Sequence, residues 1–188
     1  MQHSTAAEYD RTLTIEAFAD TIIPGEKRFP DDRAVAGAAD GGGAVAAGAL
    51  ELLEGSAGGI APALDALAIA LGAHAERYAG DHGLTLDAEV PAFVALPFEH
   101  RTALVEELTA WEHPEHEMWV GLALFSNMAF DSAAHLSTVE ALAAGHPGLL
   151  AIGLTPPDPD GLWRFERYSY GRQLADAHPG TTAGGSPS

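Results

Sequence analysis

A short amphipathic helix that ends abruptly is the feature of this sequence that most restricts its fold. Apolar residues recur three and four positions apart, and so share one face of an α-helix, at Ile15, Phe18, Ala19 and Ile22. We expect Thr12 or Thr14 to cap the start of this helix and Glu16 to lie in its first turn, where the helix dipole favours an anion. Pro24 then ends the helix, because proline lacks an amide donor and disfavours helix at the residue before it.

The same spacing predicts that most of the chain is helical. Further helices are predicted over residues 33–39, 44–54, 62–78 (ending before Gly80), 97–111, 114–135 and 137–145, with a loop and a short helix over 84–93. We therefore predict an all-α fold, a single irregular bundle of six or seven helices with an extended C-terminal arm. Residues 1–177 would form one helical domain that includes the arm, and residues 178–188 a disordered tail.

Two of these helices carry specific expectations. In the helix over residues 97–111, Leu104, Leu108 and Trp111 are predicted to point inward and Arg101 outward. The helix over residues 114–135 is apolar on nearly every side. It is therefore predicted to be either the central helix of the bundle or partly exposed until a partner covers it.

The chain is strongly acidic and contains no cysteine. It has 27 Asp and Glu residues against 9 Lys and Arg, a formal net charge of −18. Such a surface repels the phosphates of nucleic acids and anionic lipids, so we expect neither nucleic acid nor membrane as a partner, whereas a basic patch on another protein would complement it. The lack of cysteine excludes disulfides, thiolate nucleophiles and iron–sulfur ligation by this sequence.

The sequence shows neither an export signal nor a membrane span. Its first ten residues lack a basic start followed by an apolar run. The longest apolar run, residues 118–130, is interrupted by Ser126 and Asn127 and is shorter than the roughly 20 residues that a span needs. We therefore expect a soluble, cytoplasmic protein.

Three consecutive glycines, residues 41–43, look superficially like a dinucleotide-binding loop. That motif follows a buried strand in a βαβ unit, whereas the flanks here are alanine-rich and helical, and no lysine follows. We expect a linker or a close helix contact here rather than a nucleotide site.

Carboxylates and imidazoles are concentrated in residues 112–117, which include Glu112, His113, Glu115, His116 and Glu117. Such side chains bind zinc, iron or manganese, and His113 and His116 are the candidate ligands. However, the spacing matches neither the His-Glu-x-x-His motif nor the duplicated Glu-x-x-His pairs of di-iron bundles. The alternative is an acidic helix N-terminus with solvated histidines, and we assign no metal, cofactor or catalytic residue.

One further pair could carry acid–base chemistry. Asp131 precedes His135 by four residues, so the two would share a helix face and could exchange a proton. A satisfied polar contact under a loop is the alternative.

Aromatic and basic side chains are gathered in residues 161–172, which contain three arginines among four aromatic rings. This segment either packs over the core of its own domain or lies on a partner subunit, because hot-spot and core compositions overlap in aromatic residues. The residues predicted at a partner interface come from this arm and from the apolar helix: Trp119, Phe125, Trp163, Arg164, Tyr168 and Tyr170.

Two stretches resemble a known family. Residues 19–25 read Ala-Asp-Thr-Ile-Ile-Pro-Gly, which resembles the opening signature of the gluconate 2-dehydrogenase subunit 3 family. Residues 93–108 look like the middle of the same family, where a leucine precedes an Arg-x-x-Leu-Val helix. The resemblance implies a small, mostly helical partner of flavin-dependent alcohol and sugar dehydrogenases.

The resemblance thus implies a non-catalytic small subunit that stabilises or activates a large oxidoreductase of the glucose–methanol–choline type. The large chain would hold FAD, and this chain would bind no cofactor. The residues leave two alternatives. One is a stand-alone metal-dependent enzyme that uses Glu112, His113, His116 and His135. The other is a ligand-binding or scaffolding protein in which the helix over residues 118–130 lines a pocket.

Overall fold

The structure is a computed structural model of the 188-residue chain, and it describes residues 5–55, 59–156 and 179–180. The chain divides into two compact units, residues 1–155 and 156–188. The predicted arm over residues 161–172 lies outside the described residues, and so does the predicted tail apart from a turn at residues 179–180. The fold described is therefore that of the first unit.

The described residues are all-α, as predicted, and they contain no strand. Their eight α-helices are α1 (Ala6–Ile22), α2 (Ala49–Glu54), α3 (Leu64–His82), α4 (Ala92–Ala95), α5 (Phe98–Thr109), α6 (His116–Ser132), α7 (Thr138–Ala143) and α8 (Pro147–Ala151). A 3-10 turn, Ala61–Ala63, leads into α3. Since α2, α4, α7 and α8 each have six residues or fewer, the bundle rests on four longer helices.

Helix α1 occupies the centre of the bundle, where it packs against α2, α3, α4, α5 and α6. Its Ile15 and Phe18 are fully buried. The Phe18 ring contacts Phe93 of α4 and Trp119 of α6, at ring-centroid distances of 6.4 and 6.1 Å. The N-terminal helix, rather than the more apolar α6, is thus the central helix.

Helix α1 begins earlier than predicted. Its N-cap is Thr5, whose hydroxyl oxygen accepts a hydrogen bond from the backbone N–H of Glu8. Thr12 and Thr14, the predicted caps, lie inside the helix, so Glu16 is not in the first turn. The prediction was wrong because the first turns are mostly polar and carry no apolar stripe.

The exit of α1 packs backbone to backbone against the triple glycine. The helix ends two residues before Pro24, as predicted. The backbone N–H of Ala44 then donates to the carbonyl of Ile23 at 2.9 Å. A Cβ on either Gly25 or Gly43 would overlap the backbone of the other. The glycines therefore permit a close approach, here between two loops rather than between two helices.

Residues 33–39 are irregular, so the helix predicted there is wrong. Asp32 Oδ1 accepts hydrogen bonds from the backbone N–H groups two and three residues further on, both at 3.2 Å. Asp20 Oδ2 of α1 accepts from the backbone N–H of Ala36 at 2.8 Å. The bonds to Asp32 are those of an N-cap, but the N–H of Ala36, which would bond to the carbonyl of residue 32 in a helix, donates to Asp20 instead.

Arg101 of α5 binds the same segment, and its burial is the opposite of the prediction. Only 5% of this residue is exposed. Its guanidinium donates hydrogen bonds to the carbonyls of Arg33, Ala34, Val94 and Leu96. A buried arginine needs such acceptors because it stays charged.

Trp111 also departs from the prediction. Helix α5 ends at Thr109 and the next residue is extended, so Trp111 lies beyond the helix and is 82% exposed. Leu104 and Leu108, which precede the break, are buried as predicted. The helical spacing of apolar residues therefore predicts burial correctly only for residues within the helix.

Helices α2 and α3 also differ from their predicted ranges. Residues 44–48 form turns, and only the last six residues of the predicted helix are helical in α2. Helix α3 continues through Gly80, which was predicted to end it, and stops at Gly83, whose φ is +65°. The short helix expected between residues 84 and 93 is α4, slightly later in the chain.

Helix α6 has one buried side and one exposed side. Its buried residues are Trp119, Leu122, Ser126 and Ala129. On the opposite side Leu124 is 56% and Met128 is 42% exposed. The helix is shorter than predicted, because Ala133 adopts a left-handed conformation with φ of +48° and ends it. Of the two arrangements predicted for this helix, partial exposure is the one observed.

Candidate functional site

Two consecutive turns between α5 and α6 bring the predicted acidic and histidine cluster beside α3. The backbone N–H of His113 donates to the carbonyl of Ala110 at 2.9 Å, and that of His116 to the carbonyl of His113 at 3.0 Å. Pro114 fits this tight path because its φ is fixed by the ring. The turns end at Glu115, which occupies the N-cap position of α6, so its side chain reaches α3.

Glu115 forms a hydrogen-bonded chain with two residues of α3. The distance from Glu115 Oε2 to His74 Nε2 is 2.7 Å, and Arg77 Nη2 lies 2.5 Å from His74 Nδ1. A guanidinium can only donate, so His74 Nδ1 is the acceptor and the ring proton lies on Nε2. His74 therefore donates to Glu115. The two hydrogen bonds run from Arg77 to His74 and from His74 to Glu115.

The buried ring of Trp119 fixes the same carboxylate. Its indole N–H donates to Glu115 Oε2 at 3.0 Å. Hydrogen bonds from His74, and secondly from Trp119, lower the pKa of Glu115, so this carboxylate is charged over a wide pH range. Trp119 also packs edge-on against the His74 ring, at a centroid distance of 5.7 Å.

His113 completes a group of three residues that could hold a metal ion. One ring nitrogen of His74, one of His113 and one carboxylate oxygen of Glu115 lie within 4.8 Å of one another. We call these three residues the His-His-Glu cluster. Two imidazoles and a carboxylate form a donor set that suits zinc and related transition metals.

The structure brings together only part of the ligand set considered from the sequence. His113 lies in the cluster, whereas His116 turns away, and its Nδ1 donates to the carbonyl of Thr109 at 2.7 Å. Glu112 is exposed and lies outside the cluster. The two histidines point in different directions because the turn at Pro114 separates them.

His74 was missed because it lies within the apolar stripe of α3. Leu71, Ala75 and Tyr78 on the same stripe are buried, and the His74 ring is buried among them. A titratable residue on an otherwise apolar face was the available signal, since such groups are buried only with partners. Its partner Glu115 is 41 positions away, so no local pattern joins them.

The predicted Asp131–His135 pair is not formed. Asp131 accepts a hydrogen bond from the side-chain amide of Asn127, whereas His135 lies beyond the end of α6, against Gly48. Burial lowers the pKa of His135, and its Nδ1 has no hydrogen-bond partner among the described residues. The helix ends between the two residues, so the spacing of four no longer places them together.

The predicted interface residues divide into three groups. Trp119 is fully buried in the fold, so its ring does not lie on the surface of this chain. Phe125 is half-buried on α6. Four fall outside the described residues: Trp163, Arg164, Tyr168 and Tyr170.

Two open grooves lie on the described surface. One, of about 570 Å³, is lined by residues 111 and 113–118 and opens beside the His-His-Glu cluster. The other, of about 620 Å³, runs between the first turns of α1 and α3. Arg11 on its wall already forms ion pairs with Glu54 and Asp65. Of the α6 residues predicted to line a pocket, Met118 contributes to the first groove.

Comparisons with known proteins give a family and no function. Within the described residues, none of the helices combines the length and the apolar character that crossing a bilayer requires. No curated protein and no solved structure matches the chain. The sequence model of one family matches residues 9–188, which is nearly the whole chain. The chain therefore belongs to the family described as "Family of unknown function (DUF5987)".

Proposed function

We propose that this chain is a non-catalytic small subunit that binds and stabilises a larger FAD-dependent alcohol or sugar oxidoreductase of the glucose–methanol–choline type. The observation that carries the proposal is the exposed apolar side of α6. We call it the α6 face and define it by the exposed side chains of Met118, Leu124 and Met128, together with Gly121. Phe125 lies at its edge, half-buried and packed against the core. The resemblance of residues 19–25 to the gluconate 2-dehydrogenase subunit 3 family supplies the class of partner.

The α6 face is apolar where a surface helix is normally polar. Gly121, Leu124 and Met128 follow one another at intervals of three and four, so they form one stripe along the helix. The side chains that α6 buries lie on the other side of the helix, so the stripe does not serve the core that the described residues form. Contiguous exposed apolar residues of this kind are typical of protein interfaces.

The shape and charge of the α6 face favour a basic partner surface that can pack closely against it. A Cβ placed on Gly121 would meet no atom of the described residues within 4 Å, so another backbone can approach closely there. Glu117 lies in the first turn of α6 and Asp131 in the last, both exposed. A partner surface with an apolar centre and Lys or Arg at its rim would complement both ends and the net charge of −18.

In this proposal the partner binds FAD and oxidises the substrate, while the present chain covers apolar surface of the partner. Stabilisation then follows from mass action, since a chain that binds only the folded partner raises the free energy of unfolding of that partner. The subunit would contribute no group to the chemistry.

Co-expression of this chain with oxidoreductases encoded beside it, followed by affinity purification, tests the proposal. We expect a yellow, FAD-containing chain to co-purify, and Leu124→Glu or Met128→Glu to abolish its recovery. Ile69→Glu is the matched control, because Ile69 is an exposed apolar residue of α3 that lines the groove against α1, which no α6 residue lines, and its substitution should leave recovery unchanged.

A stable monomer that co-purifies with no flavoprotein would contradict the proposal. So would a complex that both α6 variants leave intact. Capture of a chain without flavin would also count against it, because the class of partner is part of the claim.

A further inference from the structure

We propose that the His-His-Glu cluster, His74, His113 and Glu115, binds one divalent transition-metal ion of the zinc class. This inference concerns the chain alone and does not depend on the proposed partner. The three donor atoms lie within 4.8 Å of one another. A tetrahedral zinc ion bonds imidazole nitrogen and carboxylate oxygen at about 2.0–2.2 Å, so a small movement brings all three donors within reach of one ion.

The donors come from two separate elements whose packing already orients them. His74 belongs to α3, while His113 and Glu115 belong to the turns before α6. The buried His74 ring makes edge-to-face contacts with the Trp119 ring and the His113 ring, at centroid distances of 5.7 and 5.6 Å. The Trp119 indole N–H holds the Glu115 carboxylate, as outer hydrogen bonds do in established metal sites.

The cluster is open to solvent on one side. The Glu115 side chain is 43% exposed, and the groove of about 570 Å³ begins there. An ion therefore has a path to the three donors, and the groove has room for a water molecule as the fourth ligand. Three protein ligands plus one water is a common arrangement for zinc.

The carboxylates around the cluster favour a cation, and the Arg77 guanidinium beside His74 opposes it. Glu112 and Glu117 are exposed carboxylates within three residues of Glu115. The N-terminal end of α6, which carries the positive end of the helix dipole, opposes a cation, and the three carboxylates offset it. Magnesium and calcium are poorer candidates, because both prefer oxygen ligands to imidazole.

Arg77 and the metal ion compete for His74. The guanidinium donates to His74 Nδ1, which keeps the ring proton on Nε2, between the imidazole and Glu115. A metal ion must replace that proton. Nδ1 then carries a hydrogen, which would face the guanidinium hydrogens, so the exposed Arg77 side chain has to move away. Removal of Arg77 should therefore strengthen metal binding.

Isothermal titration of the full chain with zinc chloride, after dialysis against a chelator, tests the proposal. We expect one ion per chain. His113→Ala and Glu115→Gln should each weaken binding more than about tenfold, and Arg77→Gln should tighten it. His116→Ala is the matched control, because His116 is next to the cluster but outside it. The zinc affinity of this variant should equal that of the unmodified chain.

Three results would overturn the proposal. The first is less than one zinc ion per chain, or a zinc affinity that excess magnesium abolishes. The second is an equal loss of affinity in His116→Ala and His113→Ala, which would indicate scattered surface binding. The third is an Arg77→Gln chain that binds zinc no more tightly than the unmodified chain. Because Arg77 is exposed, Arg77→Gln should fold normally, so this result can decide the question even if the other variants fold poorly.

Discussion

Asp20 and Arg101 bind the backbone of the same irregular segment, two residues apart. Asp20 Oδ2 accepts the backbone hydrogen of Ala36 at 2.8 Å, while Arg101 Nη1 donates to the carbonyl of Ala34, also at 2.8 Å. Burial disfavours both charges, since it raises the pKa of Asp20 and lowers the pKa of Arg101. Two buried, oppositely charged side chains thus hold the backbone that the sequence pattern predicted to be helical.

Replacement of Arg101 by alanine should strongly destabilise the fold. Four backbone carbonyls would lose their donor, and a buried acceptor without a partner costs free energy. We expect the free energy of unfolding to fall by about 3 kcal/mol or more, measured by urea denaturation. Arg33→Ala is the control, because Arg33 is an exposed arginine that pairs only at the surface, with Asp87. Equal losses in the two variants would contradict the prediction.

Asp32→Asn should destabilise the fold most at neutral pH. Burial alone would raise the pKa of Asp32, but hydrogen bonds from the Arg28 side chain and from the backbone outweigh it and lower that pKa. A lowered pKa in the folded state gives stability above the ordinary value of 3.8, and this stability is lost as the pH falls through the folded-state pKa. The difference in urea midpoint between the two chains should therefore shrink from pH 7 towards pH 3.

Asp20→Asn should give the opposite pH dependence. Desolvation raises the pKa of Asp20 above 3.8, despite hydrogen bonds from the backbone of Ala36 and Gly25. The stability that this group contributes is therefore fully present below pH 3.8 and is lost as the pH rises through the raised pKa. The advantage of the unmodified chain over Asp20→Asn should be greater at low pH than at neutral pH. Parallel profiles for the two aspartate variants would contradict both assignments.

Two glycine substitutions should change stability in opposite directions. A Cβ at Gly43 would overlap the backbone of residues 23–25, which cannot move aside without disturbing the end of α1. Gly43→Ala should therefore lower the thermal midpoint. Gly72 lies within α3, and no atom of the described part of the chain is within 4 Å of its Cβ position, so Gly72→Ala should stabilise the chain by up to about 1 kcal/mol. A lower midpoint for Gly72→Ala would contradict this interpretation.

The parts of the fold that could be predicted from the sequence depend on local patterns. The end of α1 before Pro24 follows from the covalent geometry of proline, and the stripe that contains Leu67 and Leu71 follows from the helical period. The start of α1 was placed too late because polar residues continue the helix between Thr5 and Thr12. Helices α2, α5 and α6 are instead shorter than predicted, because turns or an extended residue interrupt an apolar pattern that continues in the sequence.

The parts that could not be predicted depend on partners far away in the sequence. Arg101 was assigned to the surface because arginine on a helix is usually exposed, and nothing near it in the sequence identifies the carbonyls that it binds. The cluster at the start of α6 was recognised as a concentration of metal-ligand types, but its buried member, His74, lies on another helix. Composition identified the segment that holds His113 and Glu115, but His74 joins them only through the packing of α3.

The contact between Arg101 and Ala34 has a consequence for the rate at which the chain folds. It joins residues 67 positions apart. A helix forms within about a microsecond, whereas contacts between distant parts of a chain require slower loop closure. We therefore expect the docking of α5 onto residues 33–36, rather than the formation of any helix, to limit the folding rate of this helical protein.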